Sequence, residues 1–434
     1  MIKEYVEQGK NLLKSDFFKK VFETFSTRIF LLFLGLVTSA IITRILEPKG
    51  RGLVAAATTI TAIGVQFGNL GLHSSNTYYV AKDMNLLGRL VGNSLFFGFF
   101  VNGLWTTFLY IVFLRFPQIA PLQGSLLFLG LILIPITLSY MLLQNLLLGI
   151  DKSSEYNKIE RITGLLNILL ISILILVKQV SPSRVYIVSL VTASFGIILA
   201  LSGLKIKKLS KLKLSVLLFK DNFAYGFKSY LVCFLGFMVL RSDILLIQYI
   251  LGYESVGYYS VAVGLIDKLY MIPTAISTIL FPKLASHNNI EEKWRATKKV
   301  IYSTISVMLP LIIISYILSK SIITVLYGND FTGAILAFNW LLPGVFFLSI
   351  TSILSSYIGS IDIPKELIYI YGLGVLLNTS INIFLLGKIG IVAASISSSL
   401  TYAVILSLMC LFAISLSKGK TIYEYVFDSS QKVP

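Results

Sequence analysis

Acidic and chelating side chains are scarce in this chain. Its 434 residues include 20 Asp and Glu, two His and two Cys. Cys233 and Cys410 both stand in apolar runs, so no disulfide framework or cysteine metal site is expected. His73 and His287 are far apart and have no ligand-like neighbours. Charged residues of both signs make up 13% of the chain, against roughly 25% in soluble proteins. No nucleotide-binding loop, metal cluster or catalytic triad is visible, so neither an enzyme nor a cofactor is expected.

What the chain has instead is apolar length. Hydrophobic residues are 56% of it, and runs of 18 or more recur from end to end. A helix needs ~20 apolar residues to cross the hydrocarbon core. A membrane β-barrel would show segments of roughly 10 residues that alternate in polarity, and these runs do not alternate. The expected fold class is all-α and polytopic in the membrane. Twelve spans are expected, at about 24–46, 52–72, 89–114, 122–149, 161–178, 184–204, 222–250, 256–282, 300–320, 334–359, 367–387 and 389–416. The "VTSA" at 37–40 is only a faint cleavage-site pattern, and a removed signal peptide is not expected.

The net charge is +17. In a soluble protein such an excess would suggest nucleic acid. In a membrane protein it marks the Lys and Arg of cytoplasmic loops, and no nucleic-acid partner is expected. With the termini taken as inside, 25 of the 37 Lys and Arg fall in the N-terminal arm, the inner loops and the tail. Seven fall in the outer loops. The bias predicts that both termini are cytoplasmic. The arm at 1–22 alternates apolar and lysine-bearing positions near helical spacing, which predicts an amphipathic helix on the inner leaflet. The loop "KIKKLSKLKLSVLLFKD" at 205–221 holds six lysines and one Asp, which suits a topology anchor against anionic lipid.

The chain repeats itself. "LEPKGRGLVAAA" from Leu46 aligns without gaps with "LGYESVGYYSVA" from Leu251, at an offset of 205 residues. Leu46 meets Leu251, Gly52 meets Gly257 and Ala57 meets Ala262. Further on, residues 149–167 align with 360–378 at an offset of 211, placing Asp151 on Asp362 and Asn167 on Asn378. Each half therefore carries six spans in the same orientation: an N-lobe at 23–204 and a C-lobe at 222–416, joined by the basic linker at 205–221 and followed by a tail at 417–434. Parallel repeats are related by a pseudo-two-fold axis along the membrane normal, the arrangement of alternating-access transporters. No repeated pore loop or ring of charge favours a channel.

At the start of the second half, "YGFKSYLVCFLGFMVLRSDILLIQYILGYESVGYYSVAVGLIDKLYMIPTAISTILFPKLA" (225–285) resembles the bacterial polysaccharide flippases. These are the O-antigen and capsule repeat-unit exporters of the multidrug/oligosaccharidyl-lipid/polysaccharide superfamily. The resemblance rests on Tyr225–Gly226, Asp243, Leu251–Gly252, Val256–Gly257–Tyr258, Ala262 and Phe281–Pro282. "RILEPKGRG" near Arg44 and "LLNTSINIFLLGKIGIVAASISSS" (376–399) resemble the matching first-half turn and the last two spans. The resemblance implies a two-lobe fold with a V-shaped cavity in the bacterial inner membrane. It implies a polyprenyl-pyrophosphate-linked oligosaccharide as cargo and a polysaccharide polymerase machinery as neighbour. Two relatives in the superfamily are alternatives. A drug/cation antiporter would want an acidic or neutral aromatic cavity. A peptidoglycan lipid-precursor flippase is often built with two more spans than this chain has. A membrane glycosyltransferase or polymerase would need an external catalytic loop, which the short outer loops do not supply.

Charge at bilayer depth is costly, so it faces a cavity or a partner. Within or at the margins of spans stand Arg28, Arg44, Lys228, Arg241 and Lys268, against Asp243 and Asp267. Arg44 is near the outer boundary, where it can snorkel. Arg28, Lys228, Arg241 and Lys268 are the candidates for binding an anionic head group, since charge-assisted donors suit phosphate oxygens. Asp243 and Asp267 are candidates for ion coupling or for structural pairing. Arg241 and Asp243 point about 200° apart on a helix, so they cannot pair closely with each other. The expected pairs are Asp243 with Lys268 and Asp267 with Arg241, and Tyr258, Tyr259 and Tyr270 are candidates for stacking on sugar rings. The charge bias also makes the topology testable: a reporter fused after Lys211 is expected to be active only as a cytoplasmic fusion. Activity confined to a periplasmic reporter would reverse the orientation.

Overall fold

The structure, a computed structural model, describes residues 16–205, 213–287, 289–362 and 364–417, with side chains from residue 23 onward. Residues 1–15 of the expected amphipathic arm, the middle of the basic linker and the tail after 417 lie outside the described residues. What is described is helical, with no strand. The helices are α1 (Asp16–Asn69), α2 (Leu72–Lys82), α3 (Leu87–Leu95), α4 (Asn102–Arg115), α5 (Gly124–Gly149), α6 (Ser153–Leu176) and α7 (Pro182–Gly203). They continue as α8 (Val216–Leu251), α9 (Tyr253–Ala285), α10 (Ile290–Ile317), α11 (Ser319–Tyr327), α12 (Ala334–Gly359), α13 (Glu366–Ile389) and α14 (Ile391–Ser417). A π-helical turn, Phe96–Val101, joins α3 to α4.

Eleven of the described helical segments are long and apolar enough to cross a bilayer. The first, Glu23–Asn69, is two helices meeting at Glu47, whose backbone is non-helical. It therefore carries the first two expected spans, and the expected twelve are accounted for. Large apolar side chains are widely exposed, among them Phe33 at 63%, Phe384 at 71% and Leu176 at 81%. Water would not tolerate so much apolar surface, whereas lipid does, and a helix leaves no backbone group unsatisfied there. The protein is a multi-pass membrane protein.

The two repeats reverse direction in the same way. Glu47 has φ 57° and ψ 175°, and Gly252 has φ 83° and ψ 177°. These positions are equivalent at the offset of 205. In both, one residue in a backbone region open almost only to glycine turns the chain, and the next helix starts at once. In the first half Pro48 takes the first helical position, where its missing N–H costs nothing. The neighbouring glycines explain how the turn packs. A Cβ on Gly52 would stand 1.7 Å from the Tyr253 carbonyl oxygen, and one on Gly257 would stand 1.9 Å from that of Pro48. Only two residues without side chains allow backbones to cross so closely.

By their contacts the residues form two compact units. One comprises Met1–Leu46 with Ala57–Tyr230, and the other Glu47–Ala56 with Leu231–Pro434. In the first, α5 is the most enclosed span, and Leu143, Leu146 and Leu147 pack with Val80, Leu90 and Ile197 around it. In the second, α12 has that place, with Ile353, Leu354 and Tyr357 against Ile405 and Met409 of α14. These helices are the fourth span of each repeat.

Glu47 holds a conformation that disfavours side chains, at a cost on the order of 1–3 kcal/mol. Glu47→Gly is therefore expected to raise the unfolding temperature of the detergent-solubilised protein, and Gly252→Glu to lower it. Equal temperatures for Glu47→Gly and the unaltered chain would show that no such cost is stored at this turn.

Candidate functional site

The polar residues of the second unit converge on a small cavity among α8, α9, α12 and α14. Its volume, counted as space open to the centre of a water molecule, is about 20 Å³. That is room for a single water or a small ion. Arg241 and Asp243 from α8, Tyr259, Asp267 and Tyr270 from α9, and Tyr402 from α14 line it.

The two carboxylates are held differently. Asp267 Oδ2 accepts from Arg241 Nη2 at 2.8 Å, the expected pair. Both side chains remain partly open, at 26% for Arg241 and 42% for Asp267. Asp243 does not meet Lys268. It is 1% exposed, and its oxygens accept from neutral donors. The Ile244 N–H donates to Oδ1 at 2.8 Å. The hydroxyls of Tyr259 and Ser398 donate to Oδ2, that of Ser398 at 3.3 Å. Lys268 follows Asp267 on α9 and so leaves the helix about 100° away from it. It is half-buried and makes no side-chain hydrogen bond or ion pair among the described residues.

Behind Ser398 runs a chain of amides. Asn382 Nδ2 donates to Asn378 Oδ1 at 3.0 Å, Asn378 Nδ2 donates to Ser398 Oγ at 3.2 Å, and Ser398 donates to Asp243. Ser397 Oγ donates to the Asn378 carbonyl at 3.0 Å. Every donor in this relay points toward the carboxylate, so the bonds polarise one another in its favour. The oxygens Asn382 Oδ1, Ser395 Oγ and Thr401 Oγ1 are buried with no hydrogen-bond partner.

The other two cationic candidates lie in the first unit. Arg28 is exposed on α1 and close enough to Tyr156 to act on it electrostatically. Lys228 is exposed on α8, seven residues past Asp221. Of the tyrosines expected to stack on sugars, Tyr259 is fully buried and engaged with Asp243, which removes it from that role. Tyr258 donates to Glu254 at 3.0 Å, and Tyr270 is half-buried at the cavity.

Sequence reasoning found the charges and missed their neutral partners. Asn378 and Asn382, four residues apart in an apolar span, share one helix face and are a readable signal. The "SISSS" run that answers them reads equally well as close helix packing, the expected role of 390–399. A carboxylate of the first unit was also missed. Glu160 Oε1 accepts from Gln144 Nε2 and from the Tyr140 hydroxyl, the latter at 3.0 Å. Its neighbour Arg161 is engaged elsewhere, with Thr27 at 2.8 Å and Glu23 at 3.2 Å.

The described residues thus form an all-helical membrane fold of twelve spans, in two sequence repeats, with charge inside the spans. The family model described as "Polysaccharide biosynthesis protein" matches residues 41–336, and the chain belongs to that family. A Shigella flexneri protein described as "Putative O-antigen transporter" is 28% identical over 159 residues, which is 36% of this chain and 38% of that protein. The match thus spans well under two thirds of the relative's length. Among solved structures, an inward-facing multidrug resistance MATE family transporter of the MOP superfamily aligns with a TM-score of 0.71 and 13% identity, over 90% of this chain and 95% of the other. The lipid II flippase MurJ in an inward closed conformation aligns at 0.66 with 15% identity, over 94% and 92%. A MOP superfamily transporter from Pyrococcus furiosus, titled for the reverse polarity of its binding pocket, aligns at 0.64 with 14% identity, over 92% and 94%. At these identities the structures establish a shared fold.

The hydrogen bonds to Asp243 set an order of stabilities. Tyr259→Phe removes a donor from a buried carboxylate and is expected to cost about 1.5–3 kcal/mol. Arg241→Ala removes a partner from a half-exposed carboxylate and is expected to cost about 1 kcal/mol or less. Thermal unfolding in detergent checks the ranking, and a larger loss for Arg241→Ala would invert it.

Proposed function

We propose that this chain is an alternating-access flippase. It moves a polyprenyl-pyrophosphate-linked oligosaccharide repeat unit from the inner to the outer leaflet of the bacterial cytoplasmic membrane, for surface polysaccharide assembly. Family membership supports the polysaccharide context. The observation that carries the reading is the cationic character of the polar span residues. Arg28 and Lys268 stand at span positions without a carboxylate bridge among the described residues, Lys228 adds a third cation at the start of α8, and Arg241 holds a carboxylate that is still partly open. A cationic drug would find this set repulsive, and a pyrophosphate would find charge-assisted donors.

In this reading Arg28, Lys228, Arg241 and Lys268 bind the anionic head. The guanidinium of Arg241 matches phosphate oxygens as a fork, and Asp267 keeps it oriented until cargo arrives. Asp267 is the structural pairing. Asp243, held by neutral donors beside a cavity sized for one water or small ion, is the candidate for ion coupling. Both termini are cytoplasmic, and the basic linker meets anionic lipid. The two six-span lobes are the moving parts. The polymerase machinery collects the product.

The test is delivery of the lipid-linked glycan to the outer leaflet, measured beside protein level. Alanine at Lys268 or Arg241 is expected to cut delivery about tenfold or more while the protein accumulates, and Arg241→Lys to cut it less. Asp243→Asn is expected to leave folded protein that has lost its drive. Asp267→Asn is expected to keep partial delivery. Full delivery by alanine variants at all four cationic positions would remove the pyrophosphate role.

A further inference from the structure

The first four turns of α8 are fastened within the first unit by a seam of buried amides. Asn222, 1% exposed, donates from Nδ2 to Asn76 Oδ1 at 3.0 Å. Asn76, 2% exposed, donates in turn to Ser94 Oγ at 2.8 Å. Just before the helix starts, Asn93 takes both backbone groups of Ser215. Its Nδ2 donates to the carbonyl at 2.9 Å, and its Oδ1 accepts from the N–H at 2.9 Å. At the far end of the segment, the Tyr230 hydroxyl donates to the Phe67 carbonyl at 3.2 Å.

Glycines bring the backbones together along this seam. A Cβ on Gly226 would lie 2.5 Å from the Gly71 carbonyl oxygen, and one on Gly71 would lie 2.5 Å from that of Gly226. A Cβ on Gly92 would lie 2.6 Å from the Lys213 carbonyl oxygen. The contact is therefore made mainly by backbone and short amides, with directional bonds at fixed register. Sliding by one turn would take Asn93 and Asn222 off their partners and leave Asn76 with Ser94 alone, so buried polar groups oppose it. After Tyr230 this arrangement stops, and the contacts of α8 pass to the second unit at Leu231. Nothing breaks the helix there: α8 runs unbroken from Val216 to Leu251. Gly236, whose added Cβ would meet nothing closer than 3.7 Å, follows within two turns.

We propose that residues 215–230 of α8 are a strap that stays closed on the first unit throughout the working cycle, so that any flexing of α8 falls after Tyr230. The word "cycle" rests on the transport reading, and the strap itself rests on the seam.

The experiment uses the full-length protein in lipid nanodiscs, with Cys233→Ser and Cys410→Ser as background. Spin labels are placed at Lys82→Cys with Lys220→Cys, both exposed and outside the seam, and separately at Lys220→Cys with Tyr249→Cys along α8. Distances are measured with and without a polyprenyl pyrophosphate. The Lys82–Lys220 distance is expected to hold within about 2 Å, and the Lys220–Tyr249 distance, about 43 Å on a straight helix, to shift by several ångströms. Movement across the first pair overturns the strap, and no movement in either overturns the flexing. Separately, an Asn76→Cys with Asn222→Cys disulfide is expected to keep at least half of the glycan delivery. A fivefold loss that reduction restores overturns the strap. If the unlinked protein delivers no glycan at all, the transport reading fails while the label distances still judge the strap.

Discussion

A carboxylate with 1% exposure inside an apolar helical unit is the constraint around which the second unit is organised. Burial penalises its charge, and no cation bridges it among the described residues, so the penalty is offset mainly by hydrogen bonds from neutral groups. Those donors come from three places: the helix that bears Asp243, Tyr259 of α9, and Ser398 of α14. Three helices are thereby fixed in rotation about their axes. Asn378 then extends the network to α13. A purely apolar interface among the same helices would tolerate rotation far better, because dispersion has no direction. Such directional bonds specify one arrangement of the helices as well as stabilising it.

Among the described residues the first half has no counterpart of this network. The position equivalent to Asp243 is Thr38, and Asn167 stands where Asn378 does. What the halves share is backbone geometry. Glu47 and Gly252 turn the chain alike, although only one of them is the residue such a turn favours. Gly52 and Gly257 both sit where a side chain would collide with a carbonyl. The repeat has thus kept the features that sterics enforce and let the polar chemistry diverge. The Gln144–Glu160 contact of the first half illustrates the same point. At the offset of 211 its counterparts are Ser355 and Tyr371, which also hydrogen-bond, without a charge.

This division explains what the sequence could be made to yield. Twelve spans were legible because lipid forces long apolar runs, and the repeat was legible because glycines at crossings cannot drift. The pair Arg241–Asp267 was legible because opposite charges at depth seek each other and few were present to choose from. The partner of Asp243 was not. Its donors are Tyr, Ser and a backbone N–H, residue types so common in spans that none signals its role. The seam at 215–230 was hidden for another reason. Asn76, Asn93 and Asn222 lie in segments read as loop or span margin, and only the folded chain shows that they are buried against one another.

The two carboxylates of the cavity differ in what can replace their partners. Asp267 and Arg241 form a bridge with both side chains partly open, the kind worth at most about 1 kcal/mol. On the proposed reading an arriving dianion takes the guanidinium at little cost, leaving Asp267 to water. Asp243 has no such freedom. Its partners are buried with it, and losing any of them strands a polar group in a space with room for one water. On the proposed reading this sorts the roles by accessibility. Exchange with a bulky anion requires a weak, open pair, since a strong closed one would either exclude the cargo or never release it. Retention of a small cation or a proton requires the opposite, a closed site whose oxygens are already aligned. On that reading Asp267 and Asp243, 24 residues apart in sequence and on adjoining helices, suit the two roles in turn.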